Sequence, residues 1–358
     1  LQDSAEVARR PLDGFMYQLA EHGKEELDHW DSLQRMKSYG LPVNDATRLC
    51  DTIEEVWKFI EHWDIERKNL GFEIDGVVIK VNSRLQQQEM GFTSKFPRWA
   101  MSYKFETERA ESKLLSISYQ VGRTGAVTPV ANLEPMQLLG TTVKRASLHN
   151  ADFIAQLDVR VGDTVFVEKG GEIIPKIVEV DTRNRQLDSQ PTLFTVSCPE
   201  CDTLLERPEG DAVFRCPNVQ SCPPQVKGRI EHFIGRKAMD VASLGEGKID
   251  VLYQSGLVHR AADLYSLSAD KLLGLSKSIM IEDTGDERIV SFKEKTVENI
   301  ITGVAASKKI PFERVLFGLG IRFVGETVAK KLAFHFKNVD AIMAADFENL
   351  NGVEEIGG

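Results

Sequence analysis

The chain has 358 residues and a formal net charge of −10, with 42% hydrophobic and 27% charged residues. This composition is ordinary for a globular protein, and the length predicts two to four domains. No apolar run approaches the length of a membrane-spanning helix, which excludes a protein built from such helices. Because the sequence starts at Leu1 and stops inside a repeating pattern at Gly358, we expect it to be part of a longer protein.

The net negative charge argues weakly against nucleic acid as a partner, but the charge is distributed unevenly. Residues 113–150 contain four cations and one anion, which gives this segment a local balance of +3. Proteins bind a nucleic-acid backbone through local patches, so a phosphate-rich partner is compatible with this composition.

The first hundred residues predict a helix followed by two strands. Apolar residues recur at helical spacing within 44–70, and Asn44 or Asp45 would cap the helix. Apolar runs at 72–82 and 99–106 predict strands, the first of them rich in valine and isoleucine. The predicted helical face consists of Ile53, Val56, Trp57, Ile60 and Trp63.

Each predicted strand carries one lysine among apolar neighbours, Lys80 in the first and Lys104 in the second. Burying an ammonium group is costly, and such a lysine is usually kept for an anionic partner such as phosphate. The pattern is equally compatible with two lysines on the solvated face of an edge strand. Asp75, five residues before Lys80, would face the opposite side of a regular strand.

Residues 112–190 predict a small closed barrel. About five short β-forming runs alternate there with glycine and proline turns. The segments 106–112 and 187–197 on either side are candidate mobile linkers between domains.

Four of the five cysteines lie close together in the sequence. A C-x2-C pair followed by a second, wider pair can surround one zinc ion with four thiolates, and a site without an open position is structural. Two disulfides are the alternative, but nothing else in the sequence indicates secretion. The predicted zinc ligands are Cys198, Cys201, Cys216 and Cys222.

Residues 226–358 change to helical patterning and contain a repeat. Each copy has an apolar residue, then glycine or lysine, then glutamate, and continues with helical spacing of apolar residues. Copies occur at 244–252, 292–300 and 324–332, and residues 356–358 begin a fourth.

A glycine turn at a helix N-terminus exposes N–H groups that bind phosphate without reading sequence, so Gly245, Gly247 and Gly325 are candidate DNA contacts. Ordinary helix caps in a bundle are the alternative. Lys293 replaces the glycine of the second copy, and that hairpin is expected to be structural only. We predict that residues 279–290 form a loop between hairpins.

Taken in order, these motifs resemble the bacterial NAD-dependent DNA ligases. DGVVIK at 75–80 is similar to nucleotidyltransferase motif IV, and WAMSYKF at 99–105 is similar to motif V, with Lys104 as its lysine. Residues 121–135 and 140–150 resemble the oligonucleotide-binding (OB) barrel of that family. The cysteine module and the hairpin repeats follow in the family's order, so the resemblance covers essentially the whole chain.

The resemblance implies a multidomain α+β fold with four parts. In chain order these are the C-terminal part of an adenylation (nucleotidyltransferase) domain at 1–106, an OB-fold β-barrel at 107–190, a four-cysteine zinc finger at 191–225 and a truncated helix-hairpin-helix domain at 226–358.

The resemblance also implies the reaction, which is the sealing of nicks in duplex DNA in replication and repair. A 5′-phosphate is joined to a 3′-hydroxyl through enzyme-AMP and DNA-adenylate intermediates, with NAD as the adenylate source and catalytic Mg²⁺ beside structural Zn²⁺. Lys80 and Lys104 would be catalytic and would contact the adenylate phosphate. Asp75 and Arg67 would belong to the same cofactor-binding pocket.

By the same resemblance, Arg123 and Thr124 of the barrel would hold the DNA backbone around the nick. The implied partner is nicked double-stranded DNA, bound independently of sequence, and no membrane is involved. We expect a monomer in the bacterial cytoplasm, associated with the nucleoid.

The chain departs from the family near its start. The nucleophilic lysine of these ligases belongs to a K-x-D-G motif that this sequence lacks, and Pro11 stands in the lysine position of the similar stretch 11–14. We therefore expect the chain alone to be catalytically inactive.

Two other functions remain open. An ATP-dependent ligase or a capping enzyme would share both lysine motifs and the barrel, although the zinc module and the hairpin repeats argue against it. A non-enzymatic DNA-binding scaffold would use the zinc module and the hairpins, with the lysine strands as plain sheet.

Overall fold

The computed structural model describes residues 4–19, 28–93, 95–106, 108–170, 174–186, 188–280 and 287–353. The chain folds into two compact units: the first comprises the described residues up to Glu108 together with Lys169 and Gly170, and the second comprises the other described residues from Arg109 onward. Helices, small sheets and a closed barrel coexist, which confirms the mixed α+β prediction. Within the described ranges, no helix is both long and apolar enough to cross a bilayer.

The first unit places helices around a two-stranded antiparallel sheet. Strand pairing sets Gly76 opposite Lys104 and Lys80 opposite Ala100. Paired residues share a face, so Lys80 and Lys104 lie on one face at opposite ends of the ribbon. The elements are α1 (Ser4–Arg9), α2 (His29–Ser38), α3 (Ile53–Glu66), a 3-10 turn (Arg67–Asn69), β1 (Gly76–Lys80), α4 (Arg84–Met90) and β2 (Ala100–Lys104).

Helix α3 starts later than the sequence pattern predicts. Its N-cap is Thr52, whose hydroxyl accepts a hydrogen bond from the Glu55 N–H at 3.3 Å. The predicted cap at Asn44 or Asp45 is wrong, because the Asn44 side chain is used in a local turn, where it accepts from the Ala46 N–H at 2.9 Å.

The second unit begins with a closed barrel of strand order β3-β4-β5-β7-β6, as predicted. Its core is aliphatic, with Leu114, Leu148 and Ile177 completely buried. The predicted linker 106–112 is shorter than expected, because Arg109 to Ser112 pair with β6 as part of β3. The elements are β3 (Arg109–Val121), β4 (Val127–Leu138), β5 (Thr141–Ser147), α5 (Ala151–Leu157), β6 (Thr164–Gly170) and β7 (Ile174–Asp181).

After the cysteine module, the second unit is mainly helical. Buried residues of α6, α7 and α9, including Ile230, Ile249 and Ile300, form one continuous core. The elements are α6 (Pro223–Ile234), α7 (Glu246–Gln254), a 3-10 turn (Ala261–Ser266), α8 (Ala269–Leu272), β8 (Ser276–Met280), β9 (Glu287–Ser291), α9 (Glu294–Ser307), α10 (Phe312–Gly318), α11 (Glu326–Phe336), α12 (Val339–Ala344) and α13 (Phe347–Asn351).

The repeat is only partly a set of helical hairpins. In the first and third copies, a turn connects a preceding helix to α7 or α11, whereas in the second copy β9 leads into α9. The loop predicted at 279–290 is corrected as well, because β8 and β9 pair as antiparallel strands at its two ends. Valine and isoleucine at these ends favour strand pairing. The fourth copy, 356–358, lies outside the described residues.

Candidate functional sites

Lys80 ends β1 and lies half-buried at the wall of a cavity of about 790 Å³. Its Nζ is 3.5 Å from Nε2 of His29 and 5.0 Å from the centre of the Tyr17 ring. Burial lowers the pKa of Lys80, because the charged amine has lost part of its hydration. Within the described ranges, no carboxylate forms an ion pair with this amine, so it is available to an anion.

Asn82, two residues after the end of β1, holds the start of α2 beside Lys80. Its carbonyl accepts from the His29 N–H at 2.9 Å, and its Oδ1 accepts from the Trp30 N–H at 2.8 Å. These bonds satisfy donors at the start of α2 and hold the His29 ring beside Lys80. Burial, with Lys80 and Arg84 nearby, lowers the pKa of His29 to about 4. His29 is therefore neutral at pH 7 and adds no second positive charge.

The cavity beside Lys80 is largely apolar. Its volume lies within the range of small-molecule sites, which combine apolar walls with few polar groups. A half-buried ammonium at the wall of such a cavity fits a ligand that has a flat, apolar body and an anionic group. Residues that line it include Phe15, Tyr17, Trp30, Phe59 and Trp63.

Lys104 occupies a different environment from Lys80. Its Nζ donates to Asp75 Oδ2 at 2.8 Å, and both side chains are more than half exposed. The hydrogen bond from Lys104 holds the pKa of Asp75 below its usual value. Lys104 pairs with Gly76, which lies four residues before Lys80 on β1. The Cα atoms of the two lysines are therefore about 13 Å apart along the strand direction. The structure does not bring them into contact, and only a ligand lying over β1 could meet both.

Gly76 explains why the start of β1 can lie close to β2. A Cβ at this position would lie 2.1 Å from the Tyr103 carbonyl oxygen. Only glycine is compatible with this approach, which sets the position of Asp75 next to Lys104.

Arg67, a predicted cofactor contact, stands apart from the cavity beside Lys80. Its guanidinium lies 4.8 Å from the Phe105 ring centre, and Nη2 donates to the Glu106 carbonyl at 3.4 Å. It also lies 3.6 Å from a carboxylate oxygen of Asp64. In this arrangement Arg67 joins the end of α3 to the end of β2.

The four predicted zinc ligands converge. All four Sγ atoms lie within 4.8 Å of one another, with 3.9 Å between Cys198 and Cys222 and 3.5 Å between Cys201 and Cys216. A tetrahedron with Zn–S bonds of about 2.3 Å has S···S edges of about 3.8 Å, so the cluster fits one zinc ion. With four thiolates the coordination is complete, which makes the site structural.

The wider second cysteine pair is explained by local structure. The Cys222 N–H donates to the Asn218 carbonyl at 3.1 Å, and Cys222 is the N-cap of α6, with Pro223 at the first helical position. The extra residues between Cys216 and Cys222 thus form a turn that leads directly into α6.

Arg123 and Thr124, the predicted DNA contacts of the barrel, lie exposed in the turn between β3 and β4. The next residue, Gly125, has φ +79°, and its carbonyl accepts from the Cys216 N–H at 2.8 Å. A Cβ there would lie 2.6 Å from the Cys216 carbonyl oxygen. The cysteine module therefore fixes the shape of the turn that presents Arg123.

The two glycine hairpins expose helix N-termini. Gly245 is the N-cap of α7 and Gly325 is the N-cap of α11, and neither helix has a side-chain cap. By contrast, Thr52 and Asn150 cap α3 and α5. A Cβ on Gly245 or Gly325 would meet no atom within 4 Å, so an acceptor can approach the first-turn N–H groups. Gly247 lies within the first turn of α7.

The barrel turn and the first hairpin line one groove of about 1290 Å³. Arg123 faces this groove together with Lys227, Lys248 and the glycines of the α7 N-terminus. Asp250, also in the groove, pairs with Lys227 at 2.7 Å and so neutralises part of its charge. The predicted DNA contacts of the barrel and of the first hairpin are thus brought together.

Sequence reasoning missed two residues beside Lys80. His29 is 51 residues away from Lys80 in sequence, and Tyr17 lies in a segment without a helix or strand. Neither belongs to a spaced motif, so no sequence signal indicated them. The aromatic content of residues 15–17 is the one local feature that could have done so.

Comparisons with protein families match all four predicted parts. An NAD-dependent DNA ligase adenylation domain matches residues 1–108, and the OB-fold domain of the same ligases matches 111–189. The C4 zinc finger domain of these ligases matches 197–223, and a helix-hairpin-helix motif matches 314–358.

Curated relatives agree with these matches. A DNA ligase of Flavobacterium johnsoniae is 53% identical over 357 residues, which are 100% of this chain and 51% of the relative. DNA ligases of Bacteroides fragilis (52% identical, 52% of the relative covered) and Porphyromonas gingivalis (48% identical, 98% of this chain, 50% of the relative) are similar. The chain spans about half the length of these relatives. Its sequence, its barrel and its cysteine cluster place it in the NAD-dependent DNA ligase family.

Proposed function

We propose that the protein containing this chain is an NAD-dependent DNA ligase that joins a 5′-phosphate to a 3′-hydroxyl at nicks in duplex DNA, in replication and repair. The observation that carries the proposal is the succession of adenylation, barrel, zinc finger and hairpin domains along one chain. Identities of 48–53% to DNA ligases over nearly all of the chain support it.

NAD would supply the adenylyl group of the reaction. Lys80 would bind its phosphate, because a half-buried ammonium facing an apolar cavity has much to gain from an anionic partner. The aromatic walls would take the nucleoside. Lys104 would reach the same ligand from the other end of β1, and Asp75 would orient the Lys104 amine through their ion pair. Arg67 would support the pocket from behind, through Phe105.

A catalytic Mg²⁺ would neutralise phosphate charge during transfer. Zinc, by contrast, would take no part in the phosphate chemistry. It would hold the four cysteines together, and these support the turn that carries Arg123. The two metals would therefore have separate roles, one in the reaction and one in the fold.

Nicked duplex DNA would be held through its phosphates. The hydrogen-bond donors would be Arg123, Thr124 and the uncapped helix N-termini at Gly245, Gly247 and Gly325. These groups would bind phosphate oxygens and would not distinguish one base from another. Binding would be independent of sequence. We place the protein in the bacterial cytoplasm at the nucleoid, acting as a monomer.

The test is strand sealing by the full-length protein on a labelled nicked duplex with Mg²⁺ and either NAD⁺ or ATP. The proposal predicts sealing with NAD⁺ alone. Sealing with ATP alone would retain the DNA partner and replace the cofactor. Binding without sealing under either condition would leave a non-enzymatic DNA-binding scaffold.

A further inference from the structure

Arg123 of the barrel turn crosses the surface of helix α6 at Gly228. A Cβ at Gly228 would lie 2.7 Å from the Arg123 Cβ and 3.2 Å from the Arg123 Cα. Gly228 lies in the interior of α6, where glycine is unfavourable. The close approach of Arg123 accounts for this glycine, because a larger residue would overlap with the barrel turn.

The far end of the Arg123 side chain lies against a second glycine. Gly320 follows α10 and has φ +66°. A Cβ there would lie 3.3 Å from Nη1 of Arg123 and 3.3 Å from Cδ2 of His232. Both distances are shorter than an ordinary van der Waals contact, so a side chain at Gly320 would displace the guanidinium.

His232 completes this surface. It lies one helical turn after Gly228, on the same face of α6. Its Nε2 donates to the Phe317 carbonyl at 3.0 Å, because a carbonyl oxygen can only accept. The rings of His232 and Phe317 also meet edge to face, with 4.7 Å between their centres. The imidazole is thus fixed to α10 on one side and lies beside Gly320 on the other.

The charges around Arg123 leave its guanidinium available to a ligand. Burial and the nearby Arg123 charge lower the pKa of His232 from its usual 6.5, against the opposing effect of the hydrogen bond to α10. The imidazole is therefore neutral at pH 7 and does not repel the guanidinium. Three carboxylates line the same groove, but in the described part of the chain none of them forms an ion pair with Arg123. The side chain is fixed by packing, and its donors are not used by an acid.

We propose that the surface formed by Gly228, His232 and Gly320 positions the Arg123 side chain for its contact with a DNA phosphate. The inference rests on the DNA binding proposed above and adds three positioning residues that act through Arg123. A free arginine side chain samples many rotamers, and ordering it before the ligand arrives removes part of the entropic cost of binding. The helical part of the second unit thereby sets the geometry of an arginine that belongs to the barrel.

The first experiment is a double-mutant cycle in the 358-residue chain, using fluorescence anisotropy on a labelled nicked duplex. Gly320→Asn fills the space beside the guanidinium, and asparagine tolerates the positive φ. It should weaken binding about fivefold, the effect of one long side chain that must be ordered on binding. Arg123→Ala should weaken binding about tenfold, and adding Gly320→Asn to it should cause no further loss.

Gly256→Asn is the matched control, because Gly256 has φ +73° and a Cβ there would meet no atom within 4 Å. This variant should bind DNA as the unaltered chain does. Equal losses in Gly320→Asn and Gly256→Asn would overturn the proposal. A further loss when Gly320→Asn is added to Arg123→Ala would also overturn it, because Gly320 would then act independently of Arg123.

Variants of His232 test the other side of the surface. His232→Ala removes the imidazole and should weaken binding about threefold. His232→Gln should restore most of the affinity, because its amide can also donate to the Phe317 carbonyl. Equal affinities of His232→Ala and the unaltered chain would contradict the positioning role. This pair keeps the proposal testable if Gly320→Asn fails to fold.

An NMR measurement reports the order of the Arg123 side chain without DNA. The Nε–Hε signal that is lost in Arg123→Ala identifies this residue. Its heteronuclear NOE should be high in the unaltered chain and in Gly256→Asn, and should fall in Gly320→Asn and His232→Ala. A low NOE in the unaltered chain would show that the side chain is not ordered and would overturn the proposal.

The failure of this inference is distinguishable from the failure of the proposed function. If Arg123→Ala binds the nicked duplex as tightly as the unaltered chain, Arg123 is not a DNA contact, and the inference fails together with that contact. If Arg123→Ala loses affinity while Gly320→Asn and His232→Ala do not, the positioning role alone is contradicted.

Discussion

At the scale of single residues, the contact between Lys80 and His29 defines the electrostatics of the cavity. Burial lowers the pKa of both groups, and Lys80 lowers that of His29 further. At the end of β1, the charged Lys80 amine therefore lies beside a neutral imidazole, while Arg48 also lines the cavity. This arrangement favours an anionic group next to Lys80.

Replacing Lys80 with glutamine should raise the pKa of His29 above about 4, but only part of the way to its usual 6.5. Burial, the largest cause of the lowered value, would remain. The measurement is an NMR titration of the imidazole. Lys104→Gln is the control, because Lys104 lies at the far end of β1 and should leave the His29 titration unchanged. An equal response to both variants would contradict the described contact.

The lowered pKa of His29 also predicts how stability depends on pH. The unfolded chain takes up the imidazole proton near pH 6.5, whereas the folded chain does so only near pH 4. The unfolded state therefore binds more protons within this window, so the stability of the first unit falls as the pH drops from 6.5 to 4. His29→Gln should flatten the dependence of the denaturant midpoint on pH in that window. An identical slope in both proteins would show that His29 is not responsible.

At the scale of elements, the cysteine module packs directly against the barrel turn between β3 and β4. Substitutions of Gly125 and Gly210 can measure the energy of this packing. The two glycines have nearly the same φ, +79° and +80°, but only Gly125 is packed against the cysteine module. Alanine at Gly210 meets no atom within 4 Å, whereas alanine at Gly125 would overlap the Cys216 carbonyl. Both variants lose about 1 kcal/mol to backbone strain, and Gly125→Ala should lose about 2 kcal/mol more through overlap. Equal losses in chemical denaturation would contradict the packing of the turn on the cysteine module.

Zinc should be present at one ion per chain. Cys222→Ser should abolish high-affinity zinc binding, measured by metal analysis after dialysis, and should lower thermal stability because Cys222 also starts α6. Cys50→Ser is the matched control, since Cys50 lies outside the cluster. Retention of zinc by Cys222→Ser would contradict the four-thiolate site.

Local patterns predicted the parts of the molecule that depend on local chemistry. Cysteine spacing indicated the zinc cluster, and alternating β-forming runs indicated the barrel, because both features depend on residues that are close together in the sequence. The cap of α3 was misplaced because Asn44 and Thr52 are both good caps and tertiary packing decides between them. The Lys80–His29 contact and the replacement of one hairpin by β8 and β9 arise from pairing between segments, which no local pattern encodes.

At the scale of the whole molecule, a net charge of −10 must be reconciled with a DNA partner. The groove that contains Arg123, Lys227 and Lys248 is also lined by Glu231, Glu246 and Asp250, so we expect phosphates to be contacted by individual cations such as Arg123. Affinity for a nicked duplex should therefore fall steeply with salt, and Arg123→Ala should reduce the slope of log K against log salt by about 1. Lys58→Ala, an exposed change on α3, should leave the slope unaltered. Equal slopes in all three proteins would remove Arg123 from the DNA contacts.

We propose that Lys80 binds a phosphate during NAD-dependent sealing. The most direct test is the rate of nick sealing with NAD⁺ by the full-length protein, by its Lys80→Ala variant and by Lys58→Ala as the control. We predict that Lys80→Ala loses about 100-fold or more in sealing rate while it binds nicked DNA normally, and that Lys58→Ala seals as the unaltered protein does. Sealing by Lys80→Ala within a few-fold of the unaltered rate would contradict the claim.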